Sequence, residues 1–131
     1  MVLWQTVIVK TTQMRSTYRT IASYQTRDGS EIRELMHPAV NGNRNQSFAE
    51  ATVRPGAKTQ LHRHALTEEI YHITSGAGMM TLGDERFSVA VGDTICIAPG
   101  TPHCIANTAD APLTILCACS PAYSHDDTEL L

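Results

Sequence analysis

From residue 47 onward, apolar and polar positions alternate in short runs, and most runs end at a Gly or Pro signal. Alternation with a period of two is the pattern of a half-buried strand. The predicted strands are "SFAEATV" (47–53), "TQLHRH" (59–64), "EEIYHIT" (68–74), "AGMMTL" (77–82), "RFSVAV" (86–91), "TICIA" (94–98), "HCIANT" (103–108) and "PLTILCAC" (112–119). Gly83-Asp84 is the hairpin turn between the fourth and fifth of these. Many short strands at even spacing predict an all-β antiparallel sandwich or barrel. Earlier in the chain, "LWQTVIV" (3–9) reads as an edge strand that pairs with the barrel or with a partner subunit. "SEIRELM" (30–36) reads as a strand between Gly29 and Pro38. "KTTQMRSTYRT" reads as loop, and the tail "SPAYSHDDTELL" is expected to fold back on the barrel as a short helix.

Length and composition narrow the class. A chain of 131 residues suits one domain spanning 1–131, and 42% hydrophobic content is enough for a packed core. Net charge is −3 with no basic run, which argues against nucleic acid or an anionic membrane as partner. No apolar run approaches the roughly 20 residues of a membrane span. The start "MVLWQTVIVK" has neither a basic leader nor a small-residue cleavage site, so a cytoplasmic location is expected. The four cysteines, Cys96, Cys104, Cys117 and Cys119, lie in apolar runs without zinc-ribbon spacing and read as buried free thiols.

Histidine concentrates the chemistry. In "HRHALTEE" (62–69), His62 and His64 point to the same side of a strand, so two imidazoles can close on one ion. A carboxylate at the start of the next strand, Glu68 or Glu69, can be a third donor. His103, just after Pro99-Gly100, can be a fourth. Three imidazoles and one carboxylate would leave a divalent ion with a charge near +1. An octahedral ion would also keep two open positions for substrate, water or dioxygen.

Two motifs then resemble those of the cupins. Gly56, His62, His64, Glu69 and Gly76 fit G-x5-H-x-H-x(3,4)-E-x6-G. Gly92, Gly100, His103 and Asn107 fit G-x5-P-x-G-x2-H-x3-N, with Ala98 in place of the first proline. The resemblance covers residues 56–107 and implies a double-stranded β-helix, or jelly-roll, barrel. It implies one divalent transition metal (Fe, Mn, Ni or Zn) held by His62, His64, Glu69 and His103. By spacing it selects Glu69 over Glu68, and strand parity then sends Glu69, Tyr71 and Ile73 inward and Ile70 and His72 outward.

The implied activity is metal-dependent chemistry on a small oxygenated substrate: oxygenation, or isomerase, lyase or cyclase chemistry. The alternative is a non-catalytic module that binds or senses a sugar-like ligand. Small cupins are commonly homodimers, and a homodimer is expected. Tyr71 is the candidate catalytic residue, with Glu50 a weaker acid/base candidate, and Gln60 is a candidate pocket residue. A salt bridge from Glu69 to Arg54 or Arg63 is the plain alternative to ligation. His37 and His125 read as surface residues, and one of Met79 and Met80 is expected to line the core or pocket.

Overall fold

The computed structural model describes residues 14–131. The expected strand at 3–9 lies outside them. Among the described residues eleven strands form two antiparallel sheets: β1 (Tyr24–Gln25), β2 (Glu31–Met36), β3 (Ser47–Val53), β4 (His62–His64), β5 (Glu68–Ser75), β6 (Ala77–Leu82), β7 (Glu85–Ala90), β8 (Thr94–Ile97), β9 (His103–Asn107), β10 (Leu113–Ser120) and β11 (Thr128–Leu130). One sheet has the order β1-β2-β3-β10-β5-β8, the other β11-β4-β9-β6-β7. The all-β antiparallel barrel read from the pattern is the architecture of the described residues. No helix among them is long and apolar enough to cross a membrane.

Alternation produces the packing. In β3 and β10 every second side chain is buried, and the two strands pair from Leu113↔Val53 to Cys119↔Ser47. The inward set meets between the sheets, where Ile73, Met80, Ile97, Ile105, Leu113 and Ile115 are essentially inaccessible. Met80 is thus the core methionine of the adjacent pair, and Met79 is half-buried. Burying each such side chain contributes about 1.5–3 kcal/mol.

Where sequence and structure differ, contacts distant in sequence decide the tail and the approach to β4. The tail forms strand β11, not a helix, and its Thr128 and Leu130 pair with His64 and His62 of β4. The strand expected at 59–64 is regular only over His62–His64. Ahead of it, Thr59 N still donates to the Ile105 carbonyl, but Ile105 N goes to the Thr59 hydroxyl and the Gln60 amide to the Asp28 carbonyl, which interrupts the backbone ladder. A one-turn helix (Pro38–Asn41) follows β2, capped by His37 Nδ1, which accepts from Ala39 N. All four cysteines are free, but only Cys117 and Cys119 are buried; Cys104 is half-buried and Cys96 is exposed. Cys96 lies on β8 between the buried Ile95 and Ile97, so alternation turns its side chain outward.

Gly76 joins β5 to β6 at φ 86°, and a Cβ there would stand 2.6 Å from the Pro112 carbonyl oxygen. Gly92 has φ 94° with nothing near its Cβ position. Gly76→Ala is therefore expected to cost about 3 kcal/mol or more, and Gly92→Ala about 1–2 kcal/mol, in urea unfolding. Equal costs would mean that the close approach to Pro112 is relieved without consequence.

Candidate metal centre

The two sheets bring four donors together at the mouth of the barrel. β4 and β9 put His62 directly opposite His103, and His64 follows on the same face of β4. Glu69 comes from β5 in the facing sheet. All four are buried, His103 completely. Ligand atoms of the three histidines lie within 4.8 Å of one another. Glu69 Oε1 sits 3.3 Å from His64 Nε2 and 3.5 Å from His103 Nε2.

Each imidazole is anchored from behind. His62 Nδ1 donates to the Gln60 carbonyl at 2.7 Å and His103 Nδ1 to the Thr101 carbonyl at 2.9 Å. His64 Nδ1 lies 3.0 Å from Thr128 Oγ1, whose own proton goes to the Ser124 carbonyl at 2.8 Å. That hydroxyl therefore accepts from His64. With every Nδ1 carrying a proton, every neutral ring turns an Nε2 lone pair inward. Glu69 is oriented in the same way: Cys119, its register partner on β10, donates its thiol to Oε2 at 3.4 Å. Oε1 and His103 Nε2 remain buried without a hydrogen-bond partner. Two acceptors facing each other without a donor are costly in a protein interior unless a cation lies between them. The donor set thus fits a divalent ion.

Electrostatics agree. Burial lowers the His62 pKa, and the neighbouring His103 lowers it further, so the ring stays neutral and able to ligate. Burial alone would raise the Glu69 pKa, but His103 and His64, once protonated at Nε2, would donate to Oε1 and overcome it, holding the carboxyl down at about 2. Burial pushes the Cys117 and Cys119 thiols up, and the Glu69 charge adds to this, so both remain protonated and are poor ligands or nucleophiles.

A cavity of about 50 Å³ opens onto His62, His64 and Glu69. Such a volume admits a few water molecules or the reacting end of a small molecule. Tyr71 lines it, 5% exposed, with its ring 6.0 Å from that of His103. Burial, followed by the Glu69 charge, raises its hydroxyl well above the usual range, so the proton is retained. The inward set Glu69, Tyr71, Ile73 and the outward pair Ile70, His72 follow strand parity.

The remaining candidates lie elsewhere. Gln60 is exposed and does not line the cavity; it serves the site through its carbonyl. The strand that would have aligned it with His62 is broken there. Glu50 points outward and accepts from the Tyr18 hydroxyl at 2.6 Å. Arg63 pairs with Glu129, not Glu69. His125 is exposed, and in "HDD" the Asp127 carboxylate accepts from Leu66 N and Thr67 N, tying down the turn that leads to Glu69. His37 is half-buried, and its Nε2 bonds the Tyr123 carbonyl at 2.8 Å.

Asp28, Glu34 and Tyr123 line the cavity but carry no sequence signal for it. "RDG" reads simply as a turn. Thr128 and Cys119, which orient the ligands, are equally silent in one dimension.

Comparison with known proteins places this geometry. The sequence model of the cupin domain matches residues 49–119. The chain belongs to the cupin family. An uncharacterized protein of Methanocaldococcus jannaschii is 52% identical to this cupin over 118 residues, 90% of this chain and 94% of the relative. Among solved structures, a predicted oxalate decarboxylase of Thermotoga maritima is similar with a TM-score of 0.73 at 24% identity, over 82% of this chain and 99% of that one. The polyketide cyclase RemF of Streptomyces resistomycificus is similar with a TM-score of 0.71 at 20% identity, over 81% and 78%. At these identities the two structures share the fold.

Proposed function

We propose that this cupin is a metal-dependent enzyme acting on a small oxygenated organic molecule. The observation that carries this reading is the inward convergence of three anchored imidazoles on a Glu69 oxygen that has no other partner. His62, His64, His103 and Glu69 would hold one divalent ion of Fe, Mn, Ni or Zn. When bound, the ion supplies Lewis-acid polarisation of a substrate oxygen and, if it is iron, a place for dioxygen.

The chain's own groups do the rest. The alanines at 49 and 51 and Ile32 give the cavity an apolar wall that limits water. Tyr71 holds its proton within the cavity and offers it as a hydrogen bond to a bound oxygen atom. The similarity to a predicted oxalate decarboxylase and to a polyketide cyclase supports an enzyme on small organic molecules over a passive binder.

The test is turnover of a panel of small oxygenated compounds by protein loaded separately with each of the four metals, with oxygen uptake followed for iron. Turnover with one metal, absent in His62→Ala and lowered about 10- to 100-fold in Tyr71→Phe, is expected. Stoichiometric metal with bound compounds but no turnover would replace this reading with a binding module.

A further inference from the structure

Asp28 faces the metal centre from a loop that no motif covers. The loop Thr26–Ser30 joins β1 to β2 and is closed by Thr26 N to the Ser30 carbonyl (2.9 Å) and Gly29 N to the Thr26 carbonyl (3.1 Å). Gln60 N donates to the Asp28 carbonyl at 2.8 Å and ties the loop to the approach of β4. Ser30 fixes the side chain: its amide and hydroxyl both donate to Asp28 Oδ1, at 3.0 and 2.7 Å. Oδ2 is left facing inward, 3.6 Å from His62 Nε2, and the carboxylate lines the cavity. Its side chain is only 13% exposed.

No lysine or arginine among the described residues lines this cavity. The nearby arginines are engaged elsewhere. Arg27, next to Asp28 in sequence, donates to the His125 and Thr128 carbonyls at 3.1 and 3.4 Å. Arg33 donates to the Ile21 carbonyl and stacks over the Tyr18 ring. A divalent ion with three neutral imidazoles, Glu69 and Asp28 around it has no net charge, and Glu34, which also lines the cavity, adds no positive charge to it. A further anion would enter a partly dry cavity against the Asp28 carboxylate, with no cation to receive it. A molecule with a hydroxyl or amine proton would instead find an acceptor beside the ion.

Resting on the metal reading of the site, we propose that the cavity takes an uncharged or cationic molecule with hydrogen-bond donors, such as a neutral polyol, phenol or amine. Asp28 accepts from it, and the same carboxylate turns away small anions, dicarboxylates and phosphate esters.

The test uses cobalt(II)-loaded protein, whose visible spectrum reports ligands entering the open positions. Azide is the anionic probe and imidazole at pH 8 the neutral probe with an N–H donor. Asp28→Asn keeps the shape and the acceptor for Ser30 but removes the charge. It is expected to raise azide affinity about tenfold and to leave imidazole affinity level or lower. Azide binding that is equal in the two proteins, or absent from both, overturns the proposal. Loss of cobalt from Asp28→Asn alone overturns it by making Asp28 a ligand. Failure of the wild-type chain to take up cobalt removes the metal reading itself, and this inference with it.

Discussion

Glu69→Gln is expected to lower metal affinity at least about a hundredfold while making the metal-free protein more stable. Of the four residues that would hold the ion, Glu69 alone is charged; at about 4 Å a unit charge pair is worth roughly 4 kcal/mol near a protein surface, about three decades in binding. Glutamine keeps the shape but not the charge. In the metal-free protein its amide oxygen can keep the Cys119 contact. Its NH2 group then faces His64 Nε2 and His103 Nε2 from the place of Oε1, now 3.3 and 3.5 Å away. Two unpartnered acceptors are thereby replaced by a donor and its acceptors, worth about 1–2 kcal/mol. Chelator competition measures the first effect and urea unfolding of apoprotein the second. Affinity within tenfold of wild type, or a less stable apoprotein, would contradict the site as described.

Acid should strip the metal steeply. Ligation requires three unprotonated imidazoles, so each ring that takes up a proton as the ion leaves adds about one decade per pH unit to the loss of affinity, up to about three. Apoprotein stability moves in the same direction. The His62 pKa is lowered from 6.5, chiefly by burial, so the unfolded chain takes up that proton first. Stability from this residue is full above pH 6.5 and declines as pH falls below it. In acid, where Nε2 protons on His64 and His103 give Glu69 Oε1 its donors, the Glu69 pKa lies at about 2 against an ordinary 4.5, so that contribution is lost only as pH falls from 4.5 toward 2. Equilibrium dialysis across pH 7.5 to 5 measures the release. A slope of one decade per unit or less would show that the histidines are not acting as a set.

Much of this was legible because it depends on parity. β3 and β6 carry the bounds read from alternation, since both bury one face of a regular ladder. His62, His64 and His103 stood out by residue type and position, Glu69 over Glu68 only through the resemblance to the cupin motif, and the fold brings the four side chains together. What the pattern missed depends on pairing across long sequence distances. β11 consists of Thr128, Glu129 and Leu130, a string that says nothing of strand until β4 offers it a ladder. Gln60 shares parity with His62 on paper, yet the contact from its amide to Asp28 takes it out of the strand. Asp28 and Tyr123 reach the cavity from a turn and from the tail, where no periodicity aims a side chain. Cys119 reads as a small hydrophobe until its partner across the ladder is known to be Glu69.

The most direct test is elemental analysis of protein purified without chelators or an affinity metal, beside His62→Ala prepared in the same way. About one equivalent of a single divalent transition metal, lost in the variant, is the predicted result. A wild-type chain that holds no metal as isolated and takes up none when offered iron, manganese, nickel and zinc in turn would contradict the account at its centre.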